Sequence, residues 1–129
     1  MGFWDALRFW DDKRERRTEV HVRLHKAYRL GDPTEYYFVN VLNASPEREV
    51  TVTHVWFATD PEQHILNPER PLSARIAPRD QWETWYPVSL VPAAEPEVWM
   101  LARAQLADDT VIVSTQRADV PAVGHIPGA

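Results

Sequence analysis

From Val20 to His25 apolar and polar side chains alternate strictly, with Val20, Val22 and Leu24 set against His21, Arg23 and His25. Period two puts the two sets on opposite sides of an extended chain, so this stretch is predicted as a half-buried strand. Tyr28 and Leu30 continue the apolar phase, and Gly31-Asp32-Pro33 ends it with turn chemistry.

The same reading carries through the following ninety residues or so. Tyr36–Asn43 is apolar on both sides until Asn40, which predicts a central strand, and Asn43-Ala44-Ser45-Pro46 supplies a turn. Glu49–Ala58 is a third strand. Its apolar phase changes near Thr53-His54, where a β-bulge or a shift between sheets is expected. Asp60–Pro71 is a polar connection with at most a short strand around Ile65. Leu72, Ala74 and Ile76 make a fourth strand, and Trp82–Val88 a fifth, interrupted by Pro87. Val98–Leu106 and Thr110–Thr115 read as a hairpin joined through Ala107-Asp108-Asp109.

About seven short strands at regular spacing predict an all-β domain of two packed antiparallel sheets. The order resembles immunoglobulin-like and fibronectin type III-like sandwiches over residues 18–116, on strand count and spacing; a barrel of similar strand count is the alternative. The disulfide of antibody-type domains is absent, because the chain contains no cysteine. Trp56 and Trp99 are both candidates for the core tryptophan that such a resemblance implies.

At 129 residues the chain suits one domain with a core of its own. Lack of cysteine excludes disulfides, thiolate metal sites and a cysteine nucleophile, and fits a reducing compartment. A net charge of −5, with arginines spread along the chain, argues against nucleic-acid binding. The start does not read as a secretory leader, since Asp5 and Arg8 interrupt its only apolar stretch. No run approaches a membrane span, and Ala6 stands where a myristoylation pattern wants Ser or Thr. A cytoplasmic location is the expectation.

Three zones follow: residues 1–17, residues 18–116 with the strand pattern, and an extended tail, 117–129, punctuated by proline and glycine. In the first zone Phe3, Trp4, Leu7 and Trp10 recur at spacings of three and four, sharing one face of an amphipathic helix that Ala6 and Phe9 widen. Something must cover these rings. The choices are the chain's own sheets, a protein partner or second copy, or a membrane surface. The last is weakest, because four acids accompany the five basic groups of residues 1–17. In the tail, Val120, Val123 and Ile126 suit one face of a polyproline-like strip.

Trp82 and Tyr86 share one side of the fifth strand and Trp85 takes the other, which core packing and edge cover explain. The sharper alternative is a small-ligand or sugar platform using Trp82 and Trp85. His21 and His25 share a polar side with Arg23, too far apart for an easy common ligand; His54, His64 and His125 are scattered, so no metal site is expected. Asp108-Asp109 is turn chemistry. Glu83, between aromatics, is a desolvated-carboxylate candidate without a second carboxylate to complete a glycosidase. No G-x-S-x-G and only four glycines leave no nucleophile elbow or phosphate cradle, and no cofactor is expected. The expectation is a non-catalytic interaction or accessory module making contact through Phe3, Trp4, Leu7 and Trp10. Ligand binding, or a hydrolase of unrecognised type, stands as the alternative.

Overall fold

A computed structural model describes residues 19–115. The helix expected over residues 1–17, with Phe3, Trp4, Leu7 and Trp10, and the tail expected over 117–129, with His125, lie outside the described residues.

The alternating segment from Val20 forms β1 (Val20–Tyr28), which pairs with β2 (Glu35–Asn43) from Val20↔Asn43 to Tyr28↔Glu35. Gly31 makes the connection. Asp32 N donates to the Arg29 carbonyl at 3.0 Å across a turn whose third residue, Gly31, has φ +76°. A positive φ there with a negative one before it is the type II pattern, which glycine fits without strain. On its other edge β2 pairs with β6 (Gln81–Pro87), giving the order β1-β2-β6 and the central position that its two-sided apolarity predicts.

The second sheet is built around β3 (Val50–Phe57). It pairs with β4 (Gln63–His64), β5 (Ala74–Ile76) and β7 (Ala102–Leu106), and β8 (Val111–Val113) closes the far edge. The ladder between β3 and β7 shifts register between Val52 and His54. The shift keeps Val52, Val55 and Phe57 all in the core, which unbroken period two cannot do, so the phase change at Thr53-His54 has the expected cause.

Among the described residues the strand count is eight, because the short strand expected around Ile65 forms as the two-residue β4. Ile65 itself leaves β4 and is buried, its N–H donating to the Val55 carbonyl at 2.9 Å. Two boundaries are corrected. Val88, expected in the fifth strand, opens a 3-10 turn over Val88–Leu90. Glu97–Met100 is a 3-10 turn, not the start of the seventh strand. Val98 and Trp99, adjacent in sequence, are both buried, and a strand with one core side would expose one of them.

Apolar sides of the two sheets meet in one core. Val22, Leu24, Val39 and Val41 face Val52, Val55, Phe57 and Ala104. Tyr37 lies 5.7 Å from Phe57 and 5.9 Å, edge-on, from Trp99. Of the two candidates Trp99 is therefore the one in the core; Trp56 sits on the outer side of the second sheet, stacked on His64 at 5.7 Å. Each large side chain so buried contributes roughly 1.5–3 kcal/mol. Asn43, fully buried at the end of β2, fixes the following turn. Its amide nitrogen donates to the Arg48 carbonyl at 2.7 Å, and its oxygen accepts from Ser45 N at 3.1 Å. No helix among the described residues is long and apolar enough to cross a membrane.

Candidate functional site

Alternation leaves the first sheet a second side, turned away from the core, and the register arranges it as four cross-strand rows. They are Ala27–Tyr36–Pro87, His25–Phe38–Trp85, Arg23–Asn40–Glu83 and His21–Leu42–Gln81. Residues directly opposite on neighbouring strands are the closest side-chain neighbours a sheet offers, so each row behaves as a unit.

The second row is a stripe of rings. His25 lies parallel to Phe38 with centroids 5.4 Å apart, Trp85 is tilted against Phe38 at 5.8 Å, and Tyr36 meets Phe38 edge-on at 6.4 Å. The Arg29 guanidinium stands over Trp85 at 4.6 Å and reaches the Glu69 carboxylate at 3.1 Å. A cation over an indole face is favourable, and more so when water is excluded.

The third row is polar. Arg23 donates to Asn40 Oδ1 at 3.3 Å, and the Asn40 amide nitrogen donates to Gln81 Oε1 at 2.9 Å. Glu83 lies 4.0 Å from His25 Nε2, linking the charged row to the ring row. The Arg70 guanidinium donates to the Glu83 carbonyl at 2.8 Å, which ties the loop before β5 to this edge. His25, Phe38 and Asn40 are 5%, 3% and 2% exposed, although they point away from the core.

A histidine beside a carboxylate is the base-and-orienter part of a nucleophilic triad, whose third member would be a side-chain nucleophile. The outward positions of the three strands carry no serine, threonine or cysteine.

Of the site residues predicted from sequence, Trp82 and Trp85 fall on opposite sides of β6. Trp82 is 8% exposed within the core cluster, with Arg70 over its ring at 5.7 Å, while Trp85 belongs to the ring row. The structure does not bring the two together. Of the polar side predicted for β1, His21 is exposed, Arg23 half-buried and His25 buried. His54 is exposed beside Thr53 on β3. Asp108 and Asp109 do turn work: Thr110 N donates to Asp108 at 3.0 Å, and Gln105 donates to Asp109 at 3.2 Å. Among the described residues no group of three or more histidine, aspartate or glutamate side chains converges as metal ligands would. A cleft of about 660 Å³ at one end of the sheets, lined by Val20, Arg48, Val50, Leu106 and Thr110 among others, contains no histidine. Sequence reasoning missed Phe38 and Asn40 as members of an outward cluster; the signal was the two-sided apolarity of β2.

Set against known protein families, curated proteins and solved structures, the chain matches none.

Proposed function

We propose that this chain is a non-catalytic protein-interaction or accessory structural module. In this reading it is an immunoglobulin-like or fibronectin type III-like sandwich that meets a protein partner or a second copy of itself through Phe3, Trp4, Leu7 and Trp10. The observation that carries the reading is the use of the space between the sheets. Side chains of both sheets fill it, from Val22, Leu24 and Val39 on one to Val52, Phe57 and Ala104 on the other, while the ring-and-charge cluster lies on an outer side. The strand order supports the sandwich resemblance, with β1-β2-β6 on one side and β4-β3-β7-β8, plus β5, on the other. A cytoplasmic setting belongs to the same reading and rests on the absence of cysteine.

The test compares the wild-type chain with a Trp4→Ser/Trp10→Ser variant, by light scattering and by affinity capture from the native host. The expected result is loss of self-association or of a captured protein, with the β-type circular dichroism unchanged. A wild-type chain that is monomeric and retains no protein defeats the reading.

A further inference from the structure

We propose that residues 3–10 seat their apolar side on the outward ring row His25–Phe38–Trp85 of their own chain. The inference rests on the reading of residues 1–17 as a contact-making amphipathic helix, and it adds the place where that helix sits in the free protein before a partner or second copy takes it up.

Burial is the first support. Phe38, Asn40 and His25 are 3%, 2% and 5% exposed on the side of the sheet that faces away from the core. Neighbours in the same layer cover the flanks of a ring, but the end that points away from the sheet is closed only by a second layer. A helix laid on a sheet is one of the ordinary ways to supply it. The outer side of the other sheet makes the contrast: Val111 and Val113 on β8 are 45% and 48% exposed. On that side the central Trp56, Arg103 and Gln105 are half-buried, and none is closed off as Phe38 and Asn40 are.

Length and attachment supply the second support. Residue 19 leads directly into β1, an edge strand of the covered sheet. Seventeen helical residues span about 26 Å and a nine-residue strand about 30 Å, so a helix turning back at residue 19 runs the length of the rows. Measured from residue 19 at ~1.5 Å per helical residue, Leu7 lies ~18 Å and Phe3 ~24 Å back, while at ~3.4 Å per strand residue the ring row lies ~20 Å and the row of Ala27 ~27 Å along β1. Leu7 and Trp4 then lie beside the ring row, and Phe3 beside the row of Ala27 and Tyr36. The tail is the poorer occupant, since it departs after β8, on the edge of the other sheet. Chemistry agrees: Phe3, Trp4, Leu7 and Trp10 need apolar cover, and the row offers three rings with a polar row beside them.

The native chain contains no cysteine, so a pair introduced into the full-length protein reports proximity without interference. Under mild oxidation Phe3→Cys with Ala27→Cys should close an intrachain disulfide, whereas Phe3→Cys with Val113→Cys should not. Disulfide-linked dimers from the first pair would overturn the seat in the same chain and leave self-association standing. No cross-link above the Val113 control would overturn the seat altogether.

A second measurement uses no new cysteine. Modification of histidines by diethyl pyrocarbonate, mapped by mass spectrometry, should find His25 protected relative to His21 and His64 in the wild type. In the full-length Trp4→Ser/Trp10→Ser variant His25 should react about tenfold faster. An unchanged His25 rate there means that these residues do not cover it. Partner capture plays no part in either measurement, so failure here and failure of the interaction reading are separable.

Discussion

His25 and Phe38 lie on opposed strands with ring planes 5° apart and centroids 5.4 Å apart, on the side of the sheet that faces away from the core. The pair makes that side a second apolar layer in a domain whose main core lies between the sheets.

Truncation at Phe38 measures what this layer contributes. Its ring is 3% exposed and touches His25, Tyr36 and Trp85, so Phe38→Ala opens a cavity as a core truncation does. A loss of about 3 kcal/mol is expected in urea unfolding. Val111→Ala, at a position 45% exposed on the other outer side, should stay within about 0.5 kcal/mol of the wild type. Equal small losses at both sites would mean that the ring row is no second layer.

Much of this architecture is legible in the residues. Alternation in β1, two-sided apolarity in β2 and the phase change at Thr53-His54 each report a local geometric constraint, and each matches an observed element. The turn at Gly31 is legible for the same reason. What alternation cannot report is depth on the polar side. His21 and His25 share a parity, yet one is exposed and the other buried, because burial there depends on what lies across the sheet. The ring row joins residues 13 and 47 positions apart, from β1 to β2 and from β2 to β6, a distance no local pattern spans. The 3-10 turn at Glu97–Met100 was hidden for a related reason: Val98 and Trp99 fit a strand until the buried ring of Trp99 shows which side each must face.

Gly31 and Arg79 occupy the same place in two turns. Asp80 N donates to the Ala77 carbonyl at 3.1 Å across Pro78-Arg79, and Arg79 has φ +62° where Gly31 has +76°. The left-handed region costs a residue with a Cβ roughly 1 kcal/mol. Nothing lies within 4 Å of a Cβ added at Gly31, so Gly31→Ala isolates that backbone cost, and a loss of about 1 kcal/mol is expected. Arg79 is exposed, so Arg79→Gly should gain a similar ~1 kcal/mol. Thermal unfolding should move in opposite directions for the two; a destabilised Arg79→Gly would contradict the argument.

Asp32 and Tyr36 set a pH dependence at the same turn. Tyr36 Oη donates to Asp32 Oδ2 at 2.7 Å and Thr34 N donates to Oδ1 at 2.8 Å. The tyrosine hydrogen bond, then that of the Thr34 amide, holds the Asp32 carboxyl below its usual 3.8, and the same bond to Asp32 raises Tyr36 above its usual 10.0. A depressed carboxyl contributes stability that is complete above its unfolded value and is lost as pH falls through the folded one. A raised phenol contributes stability below its unfolded value that is lost as pH rises through the folded one. Tyr36→Phe should move the Asp32 titration, followed by carboxyl carbon NMR, upward toward 3.8. An unmoved midpoint would assign the shift to Thr34 alone.

Thr84 offers the opposite case, a polar atom the core does not use. It pairs with Val39 on β2, its side chain points inward at 1% exposure, and its hydroxyl has no hydrogen-bond partner among the described residues. A buried hydroxyl without a partner forfeits its hydration and gains nothing in return, a penalty of about 1–3 kcal/mol. Valine has nearly the same shape and the same preference for strands, so Thr84→Val removes the penalty without a cavity. A gain of about 1 kcal/mol in urea unfolding, with an unchanged m-value, is the expected outcome. A loss instead would show that the hydroxyl is satisfied in solution, by water reaching between the sheets, and that the interior is less completely filled than the packing of Val39, Phe57 and Trp99 indicates.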